Sequence, residues 1–142
     1  MTETDIVTER VFEAPRAQVF AAFSDPAVLA RWWGPQGFTN TFQDFEFQAG
    51  GAWRYVMHGP DGVDYQNESV FLDIVAPELI MFKHESGHAF QGIFVFTDEG
   101  EHATRVHWTM RFPNQPARDA VKDFVVLANE ENMDRLAAQL KQ

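Results

Sequence analysis

The segment His84-Glu85-Ser86-Gly87-His88 matches the H-E-x-x-H pattern of zinc proteases. In those enzymes both histidines lie on one face of a helix and bind one zinc ion, while the glutamate acts as the base. Here the segment follows the strand pattern LIMFK and contains a Ser-Gly turn signal. On an extended strand the two histidines would lie about 13 Å apart, which is too far for one ion to bind both. The spacing therefore predicts an exposed hairpin, and we expect neither a metal nor another cofactor.

No catalytic set is evident in the sequence, and Glu68 is the one candidate for a catalytic role. Val70, Leu72 and Ile74 alternate along one predicted strand and indicate its core face. With a period of two, Glu68 shares that face, where a carboxylate needs a partner, water or a raised pKa. Glu68 is then a polar anchor or general acid/base in a cavity, or it lies in water at the open end of the sheet. Asn132, on the apolar face of the last helix, is either a hydrogen-bonding group in the cavity or the polar end of a packed seam.

Aromatic and methionine side chains are abundant, and they predict either a filled core or a shaped apolar pocket for a ring-bearing ligand. Trp32 and Trp33 are adjacent in a predicted helix, so their indoles point about 100° apart and cannot both face one site. We expect one tryptophan to anchor the short helices, and Trp33 to reach the pocket mouth with Phe38. The candidate ligand-binding residues are Trp33, Phe38, Trp53, Tyr55, Met57, Glu68, Trp108, Met110, Phe124 and Asn132.

The elements that must position these residues follow from periodicity and turn signals. Asp25 is a predicted cap of a second short helix, with Pro26 at its first position. The sequence does not determine which face of strands 78–85 and 92–97 points inward, because both faces are apolar there. The pattern predicts a strand over 5–13, helices after Pro15 and Pro26, six antiparallel strands within 39–112, and a long helix over 117–142. This order predicts an α+β fold in which a curved sheet of about seven strands wraps around the C-terminal helix and leaves a cavity between them.

Composition limits the classes of partner. The 142 residues carry 11 basic and 21 acidic side chains, a net charge of −10, so nucleic acid and anionic membranes are poor partners. The longest apolar run, FVVLA, is too short to span a bilayer. There is no cysteine and no pattern of a signal peptide, which favours a cytoplasmic protein. Length predicts one domain over residues 1–142.

Four segments carry a resemblance to a known family: RVFEAPRAQVFAAFSDPAVLARWWGP (10–35), AGGAWRYVMHGPDG (49–62), FLDIVAPELIMF (71–82) and MDRLAAQL (133–140). They resemble the helix-grip superfamily (SRPBCC, START-like and Bet v 1-like), which includes lipid-transfer domains and polyketide cyclases. Within it, the chain is most similar to the C-terminal domain of the activator of the ninety-kilodalton heat-shock chaperone ATPase. Many members have Gly-Trp near the start of the last helical stretch, where this chain has Ala128-Asn129.

Three functions are compatible with this resemblance, because the superfamily includes carriers, enzymes and binding partners. The first is sequestration of a small, largely apolar or aromatic molecule between the sheet and the C-terminal helix. The second is a metal-free cyclase, dehydratase or hydrolase that uses Glu68 for proton transfer. The third is a protein-interaction module, with a chaperone contact or a homodimer as the assembly.

Overall fold

The computed structural model describes residues 3–141, so the two ends of the predicted 1–142 domain lie outside the described residues. Two short helices follow the first strand, six strands come next, and a long helix ends the chain, as predicted. The strands are β1 (Asp5–Phe12), β2 (Thr39–Phe45), β3 (Ala52–His58), β4 (Asp64–Val75), β5 (Leu79–His84), β6 (Phe90–Asp98) and β7 (Thr104–Arg111), and the helices are α1 (Arg16–Ser24), α2 (Pro26–Trp32) and α3 (Gln115–Leu140).

All seven strands form one antiparallel sheet in the order β1-β7-β6-β5-β4-β3-β2. Every neighbouring pair except β1 and β7 is consecutive in the chain, as expected for hairpin connections. The two strands that flank the short helices, β1 and β2, therefore lie at opposite edges of the sheet. Helices α1 and α2 connect these edges, and together with α3 they cover one face of the curved sheet. The predicted α+β helix-grip architecture is confirmed.

Capping residues set the helix boundaries. The Asp25 side chain accepts a hydrogen bond from the Ala27 N–H at 3.0 Å, and Pro26 opens α2, as predicted. The long helix begins two residues earlier than predicted, because Asn114 caps it by accepting from the Ala117 N–H at 2.9 Å. The predicted end at Gln142 lies outside the described residues. Within residues 3–141, no helix combines the length and apolarity needed to cross a lipid bilayer.

The structure resolves the inward face of β5 and β6, which the sequence left open. Ile80, Phe82 and His84 of β5 are buried, and Phe94 and Phe96 of β6 point into the same core. Gly92 pairs with Phe82 across these strands, and a Cβ atom on that glycine would overlap the phenyl ring. The glycine thus makes the space that the Phe82 ring occupies.

The inward face of β4 differs from the prediction. A register shift between Phe71 and Asp73 in the pairing with β5 places a β-bulge at Leu72. Ser69 and Phe71 are buried before the bulge, and Ile74 packs against the core after it. Because the bulge exchanges the two faces, counting back from Ile74 by twos predicts the wrong face for the first half of the strand.

Helix α3 packs closely along only part of its length. Its second half buries Asn129, Asn132, Met133 and Leu136. Arg10 of β1 holds this half through ion pairs with Glu130 and Asp134, at 2.7 and 2.6 Å. The first half of the helix presents half-buried Val121 and Val125, which line open space.

Candidate functional site

A cavity of about 430 Å³ lies between the first half of α3 and the sheet. Val121, Val125 and Ala128 form its helical wall, while β3, β4, β5 and β7 supply the opposite side. This volume is within the ordinary range for small-molecule sites, about 300–1,000 Å³. The curvature of the sheet and the half-packed helix therefore produce a space of ligand size.

Three aromatic side chains build the inner end of the cavity. The Trp33 Nε1–H donates a hydrogen bond to the Tyr55 hydroxyl at 2.9 Å. The rings of Trp33 and Trp108 lie 5.7 Å apart and are tilted by 40°. Burial raises the pKa of the Tyr55 phenol, and the hydrogen bond from Trp33 opposes that rise. Tyr55 is thus a neutral hydroxyl beside two flat apolar surfaces.

The segment after α2 is fixed to α3 by polar contacts with its backbone. Asn132 accepts a hydrogen bond from the Gly34 N–H at 3.2 Å and donates one to the Trp32 carbonyl at 2.9 Å. The Arg135 guanidinium donates to four carbonyls of residues 31–35, and burial lowers the pKa of this arginine. Gly34 has a φ of +103°, which favours glycine at this helix end. These contacts hold Trp33 in the cavity wall.

The cavity opens beside the turn that joins β5 to β6. His84 is 8% exposed, and its ring stacks on Phe90 at 4.8 Å. Its Nδ1–H donates to the His88 carbonyl at 3.0 Å, while Nε2 lies 2.8 Å from the Asn67 carboxamide oxygen. Burial lowers the pKa of His84, an effect that the His88 carbonyl partly offsets. Both ring nitrogens therefore face protein groups in this turn.

Asn129 brings a second carboxamide to the cavity from α3. It is 6% exposed and lines the cavity wall. Its Nδ2 donates to the Met110 sulfur at 3.3 Å, and no side chain or backbone group of residues 3–141 donates to its Oδ1. The polar lining of the cavity thus includes an amide whose carbonyl oxygen accepts no hydrogen bond from the described residues.

Seven of the ten candidate ligand-binding residues lie together at this cavity. Phe124 lies at the outer rim, where it is 68% exposed. Trp33 lies in the inner wall and not at the mouth, because its hydrogen bond to Tyr55 draws the indole inward. The seven are Trp33, Tyr55, Met57, Trp108, Met110, Phe124 and Asn132.

Three candidate residues do not reach the cavity. Phe38 is half-buried and packs near Tyr65, with ring centroids 6.1 Å apart, so the predicted pairing with Trp33 at the mouth is wrong. Trp53 faces inward but belongs to the solid core, where its ring stacks on Phe71 at 5.7 Å. Glu68 is exposed on the opposite face of β4, because the bulge at Leu72 reverses the predicted face.

Sequence reasoning missed Asn67, His84 and Asn129. Asn67 shares its face with Ser69 and Phe71, so a prediction that placed the bulge correctly would have found it. His84 belongs to the motif attributed to an exposed hairpin, yet its side chain is buried. The Ala128-Asn129 departure from the Gly-Trp of relatives was the available signal for Asn129.

The lining determines which chemistry the cavity supports. No carboxylate, lysine or arginine of residues 3–141 lines it, and its surface is mainly aromatic and aliphatic. The described part of the chain also contains no group of three or more His, Asp or Glu side chains arranged to hold a metal ion. Neutral hydrogen-bonding groups and apolar contacts are therefore what this arrangement offers a ligand.

Residues 13–142 match the model of the family described as Activator of Hsp90 ATPase homolog 1-like protein. The match covers most of the sequence and begins at the end of β1. A search of curated proteins finds no match to this sequence.

Solved structures from several bacteria have the same fold. A crystal structure of a Nitrosomonas europaea protein aligns with a TM-score of 0.89 at 17% identity, over 99% of this chain and 96% of that one. A solution structure from Arthrobacter aurescens aligns with a TM-score of 0.89 at 25% identity, over 98% and 87%. A Silicibacter pomeroyi protein that carries the family's name aligns with a TM-score of 0.79 at 23% identity, over 96% and 97%.

Proposed function

We propose that this chain, which belongs to the Activator of Hsp90 ATPase homolog 1-like family, binds a small, uncharged, largely apolar or aromatic molecule. The cavity under the first half of α3 carries the proposal, because it has about 430 Å³ of space and a mainly apolar lining. An open apolar cavity of this size, with a few polar groups in its wall, is the ordinary form of a small-molecule site. The role is sequestration or carriage.

The absence of charged side chains in the described lining favours an uncharged ligand. Moving an ionised group out of water is costly unless an opposite charge meets it. The polar groups at the cavity include the Tyr55 hydroxyl, the amides of Asn67 and Asn129, and two histidines, and none of these is a permanent charge. Apolar contact supplies most of the affinity, at roughly 25 cal/mol for each Å² removed from water.

A fluorescence titration with the neutral probe N-phenyl-1-naphthylamine tests this proposal. The probe becomes brighter in an apolar site, and we expect saturable binding of one molecule per chain. Ala128→Phe places a ring in the cavity wall and should abolish saturable binding. Ala120→Phe, on the exposed side of the same helix, is the matched control and should leave binding unchanged.

Two outcomes would contradict the proposal. The probe could fail to saturate on the unaltered chain, or both phenylalanine variants could bind it equally. Thermal unfolding of each variant verifies that the folded state is retained, so lost binding is separated from lost folding.

The enzymatic alternative loses the group on which it depended. It required a cavity carboxylate, and Glu68 instead lies exposed on the outer face of β4. The remaining titratable groups at the cavity are Tyr55 and Tyr65 together with His84 and His88. We expect Glu68→Gln to bind the probe as the unaltered chain does.

A protein-interaction role is the second candidate, and one observation favours it. Phe124 and Leu127 lie on one flank of α3 and are 68% and 63% exposed. Exposed apolar side chains at neighbouring positions are typical of interaction surfaces. The family name points to the ninety-kilodalton heat-shock chaperone, and the lack of cysteine fits a reducing cytoplasm.

Leu127→Lys tests this candidate without altering the cavity lining. If the flank binds the purified chaperone or a second copy of the chain, the lysine variant should weaken that complex in sedimentation velocity. Lys122→Ala, at another exposed position of the same helix, is the control. A monomer that shows no chaperone complex at high concentration would contradict the interaction role.

A further inference from the structure

Asn129 is a buried carboxamide with an unused acceptor. Its neighbour one turn later, Asn132, has both ends engaged, through the Gly34 N–H and the Trp32 carbonyl. Asn129, by contrast, donates one hydrogen bond to the Met110 sulfur, and no group of the described chain donates to its Oδ1. Although 94% of its surface is removed from solvent, it lines the cavity. Because Asn129 lines the cavity, its Oδ1 is available to a ligand there.

The described residues leave part of the Asn129 carboxamide without a hydrogen bond. The Met110 sulfur is only a weak acceptor for the Nδ2 group. A carboxamide has two N–H donors and one carbonyl. One N–H meets the sulfur, so the carbonyl and the second N–H remain to pair with a ligand.

The surroundings of Asn129 favour a planar ring. Trp33 and Trp108, with ring centroids 5.7 Å apart, contribute flat apolar surface to the same cavity. The Tyr55 hydroxyl accepts from Trp33 and donates its own proton to no described residue. Because burial raises the pKa of Tyr55, that proton is retained and is available to a ligand acceptor. The cavity thus combines aromatic walls with neutral donors and one neutral acceptor.

We propose that the ligand is an uncharged aromatic or heteroaromatic molecule with a lactam-type edge, in which an N–H lies beside a carbonyl, and that Asn129 recognises this edge. The ligand N–H donates to Oδ1, and the ligand carbonyl accepts from Nδ2. This inference rests on the proposed binding function and adds the class of ligand that the site selects. Asn129 selects among apolar ligands, while the cavity walls supply most of the affinity.

Two probes that differ at one atom test the inference. The first, 2-quinolone, presents the N–H and carbonyl together, whereas N-methyl-2-quinolone has the same rings without the donor. Calorimetric titration should give about tenfold tighter binding of 2-quinolone, the effect of one additional buried hydrogen bond. In an ¹⁵N-labelled sample, 2-quinolone should also shift the Asn129 side-chain amide resonances.

Asn129→Leu removes the amide and keeps the approximate volume. We expect this variant to bind both quinolones with equal affinity, and thermal unfolding verifies that it remains folded. If Asn129→Leu does not fold, the comparison of the two probes on the unaltered chain still decides the question.

Equal binding of both quinolones by the unaltered chain would overturn the inference. A preference that survives Asn129→Leu would also overturn it, as would failure of both quinolones when N-phenyl-1-naphthylamine binds. In these three cases the proposed binding function stands. Failure of all three probes would instead overturn the binding function, together with the inference that rests on it.

Discussion

The indole N–H of Trp33 donates to the hydroxyl of Tyr55 at 2.9 Å, in a region where both side chains are buried. This bond joins the residue that ends α2 to the middle of β3. The two short helices are thereby connected to the sheet at the inner end of the cavity. One hydrogen bond thus contributes both to the stability of the fold and to the shape of the candidate site.

Tyr55→Phe should destabilise the protein by about 1–3 kcal/mol, because the buried Trp33 N–H loses its acceptor. Urea unfolding followed by tryptophan fluorescence measures this loss. Tyr65→Phe is the matched control, since Tyr65 is 45% exposed and its loss of a hydroxyl should change stability little. Equal stability of the two variants would show that the Trp33 bond is not an important contact.

Asn132→Ala should cost about 2–4 kcal/mol, because two buried backbone groups, the Gly34 N–H and the Trp32 carbonyl, lose their partner. Chemical denaturation provides the measurement, with the exposed Lys122→Ala on the same helix as the control. A loss below about 0.5 kcal/mol would mean that the other contacts of this segment with α3, those of Arg135 and Glu131, are enough to hold it.

The bulge in β4 can be tested with two adjacent residues. Phe71→Ala should cost about 3–5 kcal/mol, because it empties a buried site. Leu72→Ala should cost less than about 1 kcal/mol, because Leu72 is 40% exposed on the outer face. If Leu72→Ala instead costs more than Phe71→Ala, strict alternation applies along β4, and Glu68 would face the cavity as predicted.

The order of helices and strands could be predicted from the sequence because local signals repeat along it. Asp25 and Pro26 start α2 where the capping pattern indicates, and the alternation of Trp53 and Tyr55 sets the inward face of β3. The inward face of β4 could not be predicted. A bulge such as that at Leu72 depends on pairing with a neighbouring strand, and no local pattern marks it.

The candidate site was predictable where large side chains define it. Trp108 and Met110, on the inward face of β7, lie at the cavity. Polar residues were harder to place, because their role depends on which partners the fold brings near. Asn129 and Asn132 are one turn apart on α3. Only the structure shows that both ends of the Asn132 amide form hydrogen bonds, whereas Asn129 forms one bond through its Nδ2.

Acid should destabilise this protein partly through His84. Burial holds the pKa of His84 in the folded state below the usual 6.5, so the unfolded chain takes up a proton at a higher pH than the folded chain. The stability contributed by the neutral imidazole is therefore complete above about pH 6.5 and is lost as the pH falls from there toward the folded-state pKa.

His84→Gln should flatten the decline in the free energy of unfolding between pH 7.5 and 5, by at most about 1.4 kcal/mol per pH unit. His102→Gln, at a fully exposed turn, should keep the original slope in the same urea titrations. An unchanged slope in the His84 variant would mean that burial does not hold this imidazole neutral.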